Sequence, residues 1–469
     1  MSSVSIKKVR RASIATSTPA PKVDVGHAHQ LTMFEVVLHL LNGNIGAGAL
    51  SLPYAFAKVG VFVGPSLYAV LAAICMYNMD LLLHCKRIVS PNASVSFGEV
   101  AKRILGPDAK NAVNVFLVGT QLSFCCIYFT VVATNVRAIL PDALAIEFQE
   151  RQLVVLIYPI LLMLSWIRHL CTITPFAVFA NCAVFLGVAI VFYYSITIAL
   201  SSSPQTSQSP AIQEVGWYHL AEFYGLAVYS FEGIGLVLPL EKDSQDKASY
   251  RVVLLVTMGF LLVLFLFLGE LPVLAFGTID NGSMTAVLQE YVPGIPVTLA
   301  NVFMAISCLF SFPIQFYPAI QVLEKLLLRR GYLTPTIRSY DEAATIPTPH
   351  ILHGTHIDVT PLPPFVELVL NTSKYEIRRT LFRSMLCTLL MLVAVCVPNI
   401  GLLISLFGSV GSSVLAVIIP PILYIHVQQE PKISRLSWFF HMALIVFGIA
   451  GMVAGTVQAL IDIVDKFYV

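Results

Sequence analysis

Two glycine-rich segments interrupt long apolar stretches of the chain, and both carry residue types suited to binding a small zwitterion. The first reads Gly43-Asn44-Ile45-Gly46-Ala47-Gly48 and is followed by Pro53. The second reads Tyr229-Ser230-Phe231-Glu232-Gly233-Ile234-Gly235 and is followed by Pro239. At membrane depth, unwound backbone persists only where it lines a cavity or is buried in protein. The two segments are therefore predicted to form a binding site.

The chemistry expected at this site follows from helix ends. If the chain unwinds between Asn44 and Gly48, the helix that resumes there has free N–H groups and a positive dipole end, which can bind a carboxylate. The helix that ends near Ser230 has unpaired carbonyl groups, which suit an ammonium group. One positive and one negative pole, both from backbone, lead to the hypothesis of a site for an α-amino acid.

Two titratable side chains stand near the interruptions. His39 precedes the first by about one helical turn, and the unperturbed pKa of histidine, about 6.5, lets it exchange protons in the physiological range. Glu232 is costly in an apolar segment, so it is either a coupling carboxylate or a paired or protonated residue that braces the unwound backbone. For His39 the alternative is a neutral histidine, hydrogen-bonded at a helix contact.

The elements that position these residues follow from composition. The chain has 469 residues, of which 57% are hydrophobic and 12% charged, and its mean hydropathy is +0.81. Soluble domains carry roughly 25% charged residues, so this composition predicts an all-α, polytopic membrane protein. The sequence contains no nucleophile–base pattern, P-loop or metal-ligand spacing, so neither an enzyme nor a bound metal or organic cofactor is expected. The absence of a basic patch with interleaved aromatics argues against a nucleic-acid partner.

Eleven stretches are long and apolar enough to cross a membrane. They are predicted at 31–59, 61–84, 111–139, 152–168, 174–200, 218–240, 249–276, 294–325, 379–397, 400–427 and 436–465. With the N-terminus in the cytosol, every Lys and Arg falls on the cytosolic side except Lys58, Arg137, Arg151 and Lys466. This bias predicts a cytosolic N-terminus and an external C-terminus. The two interrupted spans, the first and the sixth, are five spans apart, which favours an inverted five-plus-five repeat with broken helices 1 and 6.

The remaining organisation is simple. Residues 1–30 are predicted to be a disordered cytosolic tail, and residues 31–469 a transmembrane domain that contains a long cytosolic loop at 329–375. Residues 96–106 show the cap and the apolar face of a short amphipathic helix. Among the N-x-S/T sequons, the one at Asn281 falls in an outward loop, so glycosylation is expected there.

At the two interruptions the sequence resembles the amino acid/auxin permease family, and within it the proton-coupled amino acid transporter branch. The similarity is carried by His39-Leu40-Leu41-Asn42-Gly43-Asn44-Ile45-Gly46-Ala47-Gly48 and by Phe231-Glu232-Gly233-Ile234-Gly235-Leu236-Val237-Leu238-Pro239-Leu240-Glu241, with further matches in Phe124-Cys125-Cys126-Ile127-Tyr128 and Ile404-Ser405-Leu406-Phe407-Gly408-Ser409. The resemblance implies a five-plus-five fold with an eleventh helix and proton-driven symport of small neutral amino acids. It also implies that His39 carries the proton and that Tyr128 lines the site. Asn42 departs from the pattern, since relatives have a basic residue there.

The leading expectation is therefore secondary active symport of amino acids and protons by alternating access. Two alternatives stay open: sodium coupling, and a sensor that binds an amino acid without transporting it. Net flux separates a transporter from a sensor. The small residues Ala47, Gly48 and Gly233 favour substrates with small side chains. Membrane lipid is expected around the helical bundle. A plasma membrane and an acidic endolysosomal or vacuolar membrane both fit a proton-coupled carrier.

Overall fold

The computed structural model confirms an all-α membrane protein. It describes residues 31–91, 95–141, 148–167, 170–201, 216–329, 364–397, 399–427 and 434–468. Within these ranges there is no β-strand, and a single isolated bridge joins Leu31 to Ser244. The predicted tail at 1–30 and residues 330–363 of the predicted loop lie outside the described residues.

The described residues form the following helices, in chain order. They are α1 (Met33–Asn44), α2 (Ala47–Leu50), α3 (Leu52–Val59), α4 (Val63–Val89), α5 (Phe97–Leu105), α6 (Pro107–Ile139), α7 (Glu150–Ser165), α8 (Leu170–Leu200), α9 (Trp217–Ser230), α10 (Ile234–Asp243), α11 (Tyr250–Phe276), α12 (Met284–Tyr291), α13 (Ile295–Arg329), α14 (Pro364–Cys396), α15 (Ile400–Phe407), a π-helix (Gly408–Ile418), α16 (Ile419–Val427) and α17 (Arg435–Tyr468). Because α14 begins at Pro364, it includes residues 364–375, which the sequence analysis placed in the cytosolic loop.

In the described part of the chain, nine helical segments are long and apolar enough to cross a membrane. Two further segments of the predicted eleven are shorter. The first predicted span is divided into α1, α2 and α3, and α7 has 16 residues, or about 24 Å of helix, against a hydrocarbon core of about 30 Å. The count of eleven spans therefore stays a prediction.

Local signals explain where the first helices begin and end. Thr32 caps α1 by a reciprocal pair of bonds with Glu35, in which each side chain accepts from the backbone N–H of the other residue. The predicted amphipathic helix is confirmed as α5, which Ser96 caps and which ends at Gly106, where φ is +96°. The hydrogen bond from Lys110 to Glu99 (2.8 Å) lowers the pKa of that carboxyl below its usual range. The pair is therefore charged at neutral pH and ties α5 to the start of α6.

Ion pairs join the broken helices to their neighbours. On the outer side, by the predicted topology, Lys58 of α3 contacts Glu222 of α9 at 2.5 Å, and Tyr54 donates to the same carboxylate at 3.0 Å. On the inner side, Lys86 of α4 contacts Glu241 of α10 at 3.2 Å, with both side chains buried. These contacts link α3 to α9 and α4 to α10.

A second buried charge cluster joins a different set of helices. Arg383 of α14 is 1% exposed and donates to Glu324 of α13 at 3.0 Å. Its guanidinium also donates to the backbone carbonyls of Ser165 and Ile167, at the end of α7. Arg379 contacts the other oxygen of Glu324 at 2.6 Å. A buried charge is stable only when it is paired and hydrogen-bonded, so this cluster holds α7, α13 and α14 together.

The π-helix packs against α9 with almost no side chain between the two backbones. A methyl group on Gly408 would overlap the carbonyl oxygen of Gly225, and one on Gly225 would overlap the carbonyl oxygen of Ser405. Ser405 donates to the carbonyl oxygen of Glu222 at 3.1 Å. π-helical segments are rare and frequently lie at functional sites.

This contact predicts a strong effect of a single methyl group. Gly408→Ala should lower the free energy of unfolding by about 1–3 kcal/mol or more, because neither backbone can move away without disrupting the buried interface. The measurement is the melting temperature of the detergent-solubilised protein. Gly259→Ala in α11 is the matched control, since a methyl group there meets nothing within 4 Å and alanine is favoured in helices. Equal melting temperatures for the two variants would contradict this account of the interface.

Candidate functional site

The first predicted interruption is confirmed between α1 and α2. Ile45 (φ −83°, ψ 98°) and Gly46 (φ −152°, ψ −155°) both have extended backbone, so helical geometry stops after Asn44 and resumes at Ala47. The first N–H groups of the helix that follows have no intrahelical acceptor. This segment therefore has backbone N–H groups without an intrahelical acceptor, and the binding of a carboxylate to them stays a prediction.

The second interruption is also confirmed, and it touches the first. Helix α9 ends at Ser230 and α10 begins at Ile234. A methyl group on Gly48 would lie 3.3 Å from the Ser230 Cα, and one on Gly233 would lie 2.9 Å from both terminal atoms of the Asn44 amide. The glycines are thus required for the two broken helices to approach each other this closely.

A small cavity lies where the two interruptions meet. The predicted site residues that line it are Gly43, Asn44, Gly46, Gly48, Tyr128, Ser230 and Glu232, and Phe124, Tyr229 and Gln315 complete the lining. The volume open to the centre of a water molecule is about 10 Å³, which is room for roughly one water. This conformation is therefore closed around the site, and an amino acid can enter only after the helices move.

Several predicted site residues lie elsewhere. Ile45 and Phe231 are buried in the hydrophobic core instead of lining the cavity, because successive side chains at each interruption point to different sides. The Phe231 ring packs edge-on against Tyr68. His39 lies on an exposed side of α1 and is not among the cavity-lining residues. The side chain of Ala47 lies outside the described residues.

The negative pole differs from the one predicted. The carbonyl oxygens of Ala227 and Tyr229 accept from the N–H groups of Phe231 and Glu232, so the end of α9 offers fewer free carbonyls than expected. Two side-chain acceptor groups line the cavity as well. One is the Asn44 Oδ1 atom, which is buried and has no hydrogen-bond partner among the described residues, while its Nδ2 donates to the Leu40 carbonyl at 2.8 Å. The other is the carboxylate of Glu232.

Glu232 is 7% exposed and accepts a hydrogen bond on Oε2 from the Ser412 hydroxyl of the π-helix. Among the described residues, no Lys, Arg or His lies within ion-pair distance of it, and its titratable neighbours are Cys75 and Tyr229. Burying an unpaired carboxylate costs on the order of several kcal/mol. The site therefore requires a cation at Glu232, either a proton or a cationic group of a ligand.

Sequence reasoning missed three lining residues and the partner of Glu232. Phe124 and Tyr229 are the first residues of two segments named in the sequence analysis. Gln315 is a polar residue in the apolar helix α13, and polar residues within spans are frequently functional. The Tyr128 hydroxyl faces Gln315 and Ser311 of α13. No local signal in the sequence could have paired Ser412 with Glu232, because 180 positions separate them.

A second, larger pocket of about 570 Å³ opens on the outer side of the predicted topology. Its charged lining residues are Arg137, Glu150, Arg151, Asp280 and Lys466. Asn281 also lines it, and its Oδ1 atom accepts from the Ser283 N–H at 3.0 Å. Glycosylation of Asn281 stays a prediction.

Residues 29–461 match the family described as transmembrane amino acid transporter protein. The chain belongs to this family of transporters, and the resemblance noted at the two interruptions is confirmed. It is similar to Amino acid transporter AVT3C of Arabidopsis thaliana, with 26% identity over 453 residues that cover 92% of this chain and 91% of that protein. It is also similar to the proton-coupled amino acid transporter-like protein pathetic of Drosophila melanogaster, with 24% identity over 460 residues, 94% of this chain and 87% of that protein.

A Na⁺-coupled sialic acid symporter in a substrate-bound outward-open state aligns with 92% of this chain and 91% of its own, at 12% identity and a TM-score of 0.45. A match with this TM-score supports no argument about the fold, which is assigned from the helices described above.

Proposed function

We propose that this protein is a secondary active transporter that carries small neutral amino acids together with protons by alternating access. The observation that carries the proposal is the cavity between the two interrupted helices, in which the carboxylate of Glu232 is buried with no basic side chain from the described residues against it. The name of the Drosophila relative, a proton-coupled amino acid transporter-like protein, supports the same conclusion.

The two poles of the cavity fit the two charges of an amino acid. The substrate carboxylate binds the N–H groups that begin at Gly46, where a helix dipole also favours a negative charge. The ammonium group lies toward Asn44 Oδ1 and Glu232, the two acceptors without a cationic partner. The glycines at 46 and 48 leave room for only a small side chain on the substrate.

Charge balance makes the proton part of the transported complex. The ammonium group of a zwitterion is balanced by the zwitterion's own carboxylate, so a closed site with an ionised Glu232 keeps one net negative charge. Closing the site over the ionised carboxylate would incur the desolvation penalty, and a proton on Glu232 removes it. His39 is the second candidate for the coupling proton, since the family resemblance assigns it this role, but it would act from outside the cavity.

The helix contacts suggest how access alternates. The outer parts of the two broken helices are joined through Lys58 and Glu222. Their inner ends are joined through Leu31, whose N–H donates to the Asp243 carbonyl at 2.7 Å and whose carbonyl accepts from the Gln245 N–H at 3.0 Å. The outer halves of the two broken helices would then move together as one pair, and the inner halves as another, with the interruptions between them. This is expected of an eleven-span protein built from an inverted repeat. The N-terminus would lie in the cytosol. The membrane would be either the plasma membrane or that of an acidic compartment.

The first prediction concerns coupling. In sodium-free medium, glycine, alanine or proline should evoke an inward current that grows as the external pH falls, in cells with verified surface expression. Glu232→Gln keeps the size of the side chain and its bond from Ser412 but cannot bind or release a proton, so its current should be lost. His39→Ala is the comparison that separates the two candidate proton carriers.

Each other result points to a different mechanism. Current that survives Glu232→Gln and vanishes in His39→Ala would assign the proton to His39. Current that requires sodium would support a sodium-coupled carrier. Binding without uptake or current, with or without sodium, would support a sensor.

The second prediction concerns substrate size. A methyl group on Gly46 would meet only the Tyr128 hydroxyl, at 3.9 Å, so Gly46→Ala should fold and place its methyl group in the cavity. Alanine uptake should then fall about tenfold or more relative to glycine uptake, since one methyl group in a pocket is worth about 1–3 kcal/mol. Gly119→Ala, outside the cavity and with nothing within 4 Å, is the control. Equal losses for glycine and alanine would place the substrate side chain elsewhere.

A further inference from the structure

A row of buried hydroxyl groups runs along the contact between α9 and the helix that begins at Ile400. Ser409 and Ser412 are both 0% exposed and stand about one turn apart on the π-helix. Ser412 donates to Glu232. The Ser409 hydroxyl lies against Gly225, whose position in the sequence is between Glu222 and Glu232. The row therefore leads from the outer part of the interface to the central carboxylate.

The Ser409 hydroxyl has no hydrogen-bond partner in the part of the chain that the structure describes. Leaving a buried hydroxyl unpaired costs about 1–3 kcal/mol, so such groups normally bond to water. Glycines on both neighbouring helices, Gly225 and Gly455, make room for this hydroxyl, because a methyl group on either would overlap it.

We propose that Ser409 and Ser412, bridged by water, form a proton route from the outer face to Glu232 that is separate from the path of the amino acid. The route rests on the proposed function, since it supplies the proton that neutralises Glu232. Hydronium at the outer face loses a proton to the first oxygen of the row. Each oxygen accepts a proton on its outer side and releases one on its inner side, so water remains outside and Glu232 becomes a carboxylic acid.

The outer end of the route lies toward several polar and charged side chains. Helix α17 continues outward from Gly455 to Gln458, which donates to Asp462 at 2.8 Å. Lys58 and Glu222 are close enough to His219 to interact with it electrostatically.

The inner end of the route carries no competing charge. The described groups that face Glu232 are Ser412 from the π-helix, Cys75 from α4 and Tyr229 from α9. In their protonated forms these three side chains are uncharged. Among the described groups at this position, the carboxylate of Glu232 is therefore the one that accepts a proton delivered along the row.

The test compares two ways of driving the same purified protein in liposomes. One is alanine uptake driven by an inward proton gradient, measured over a range of external pH in H2O and in D2O. The other is exchange of internal for external alanine at equal pH on both sides, in which the bound proton need not leave. The variants are Ser409→Ala and Ser412→Ala. The control is Ser195→Ala in α8, because Ser195 is also fully buried with an unpaired hydroxyl but lies outside the row.

Ser409→Ala should slow gradient-driven uptake by at least roughly tenfold, in line with the contribution of a positioned proton-transfer group, and should enlarge its slowing in D2O. Exchange should stay within about twofold of wild type, and Ser195→Ala should behave as wild type in every assay. A purely structural Ser409 predicts the opposite, since removing an unpaired buried hydroxyl is neutral or stabilising. Equal behaviour of Ser409→Ala and Ser195→Ala, or an equal loss of uptake and exchange in Ser409→Ala, would overturn the route. Wild-type uptake that ignores the proton gradient would overturn the proposed function itself.

Discussion

The structure depends on one electrostatic constraint, the carboxylate of Glu232 buried where two helices are interrupted. A carboxylate at membrane depth needs a cation or a proton, and the described residues supply only the hydroxyl of Ser412. The same interruptions leave N–H groups free at Gly46 and an unpaired amide oxygen on Asn44. The unwound backbone, the acid and the close glycine packing are therefore parts of a single arrangement. Each would be a defect in a purely structural helix pair, and together they form a polar cavity that can close.

The remainder of the bundle distributes its own charges so that none of the described pairs reaches this cavity. Lys58 with Glu222 and Lys86 with Glu241 join the broken helices to each other and to α4. Arg383 and Glu324 join α13 to α14, away from the interruptions. Where such a pair is buried, removing one partner is strongly destabilising, so these contacts hold the helices that they join together.

Much of the fold and part of the site could be predicted from the sequence, for identifiable reasons. Glycine and proline clusters mark interruptions because backbone conformation is a local property, and both predicted breaks are present. The cap of Ser96 likewise marked α5. Side-chain direction is a tertiary property that local sequence does not fix: Ile45 and Phe231 lie in the hydrophobic core, and His39 is exposed and is not among the cavity-lining residues. The roles assigned to these three residues stay predictions. The partner of Glu232 was also beyond reach, because Ser412 is 180 positions away and comes close only through the glycine contact between α9 and the π-helix.

The central claim is that a proton enters Glu232 as the amino acid binds, and calorimetry tests it most directly. Alanine binding to the purified protein would be measured at one pH in buffers of different ionisation enthalpy, which gives the number of protons taken up per bound amino acid. We expect an uptake that approaches one proton for the wild type at a pH where Glu232 is ionised in the free protein, and no uptake for Glu232→Gln. Alanine binding with no proton uptake at any pH, or with the same uptake in Glu232→Gln, would contradict the account.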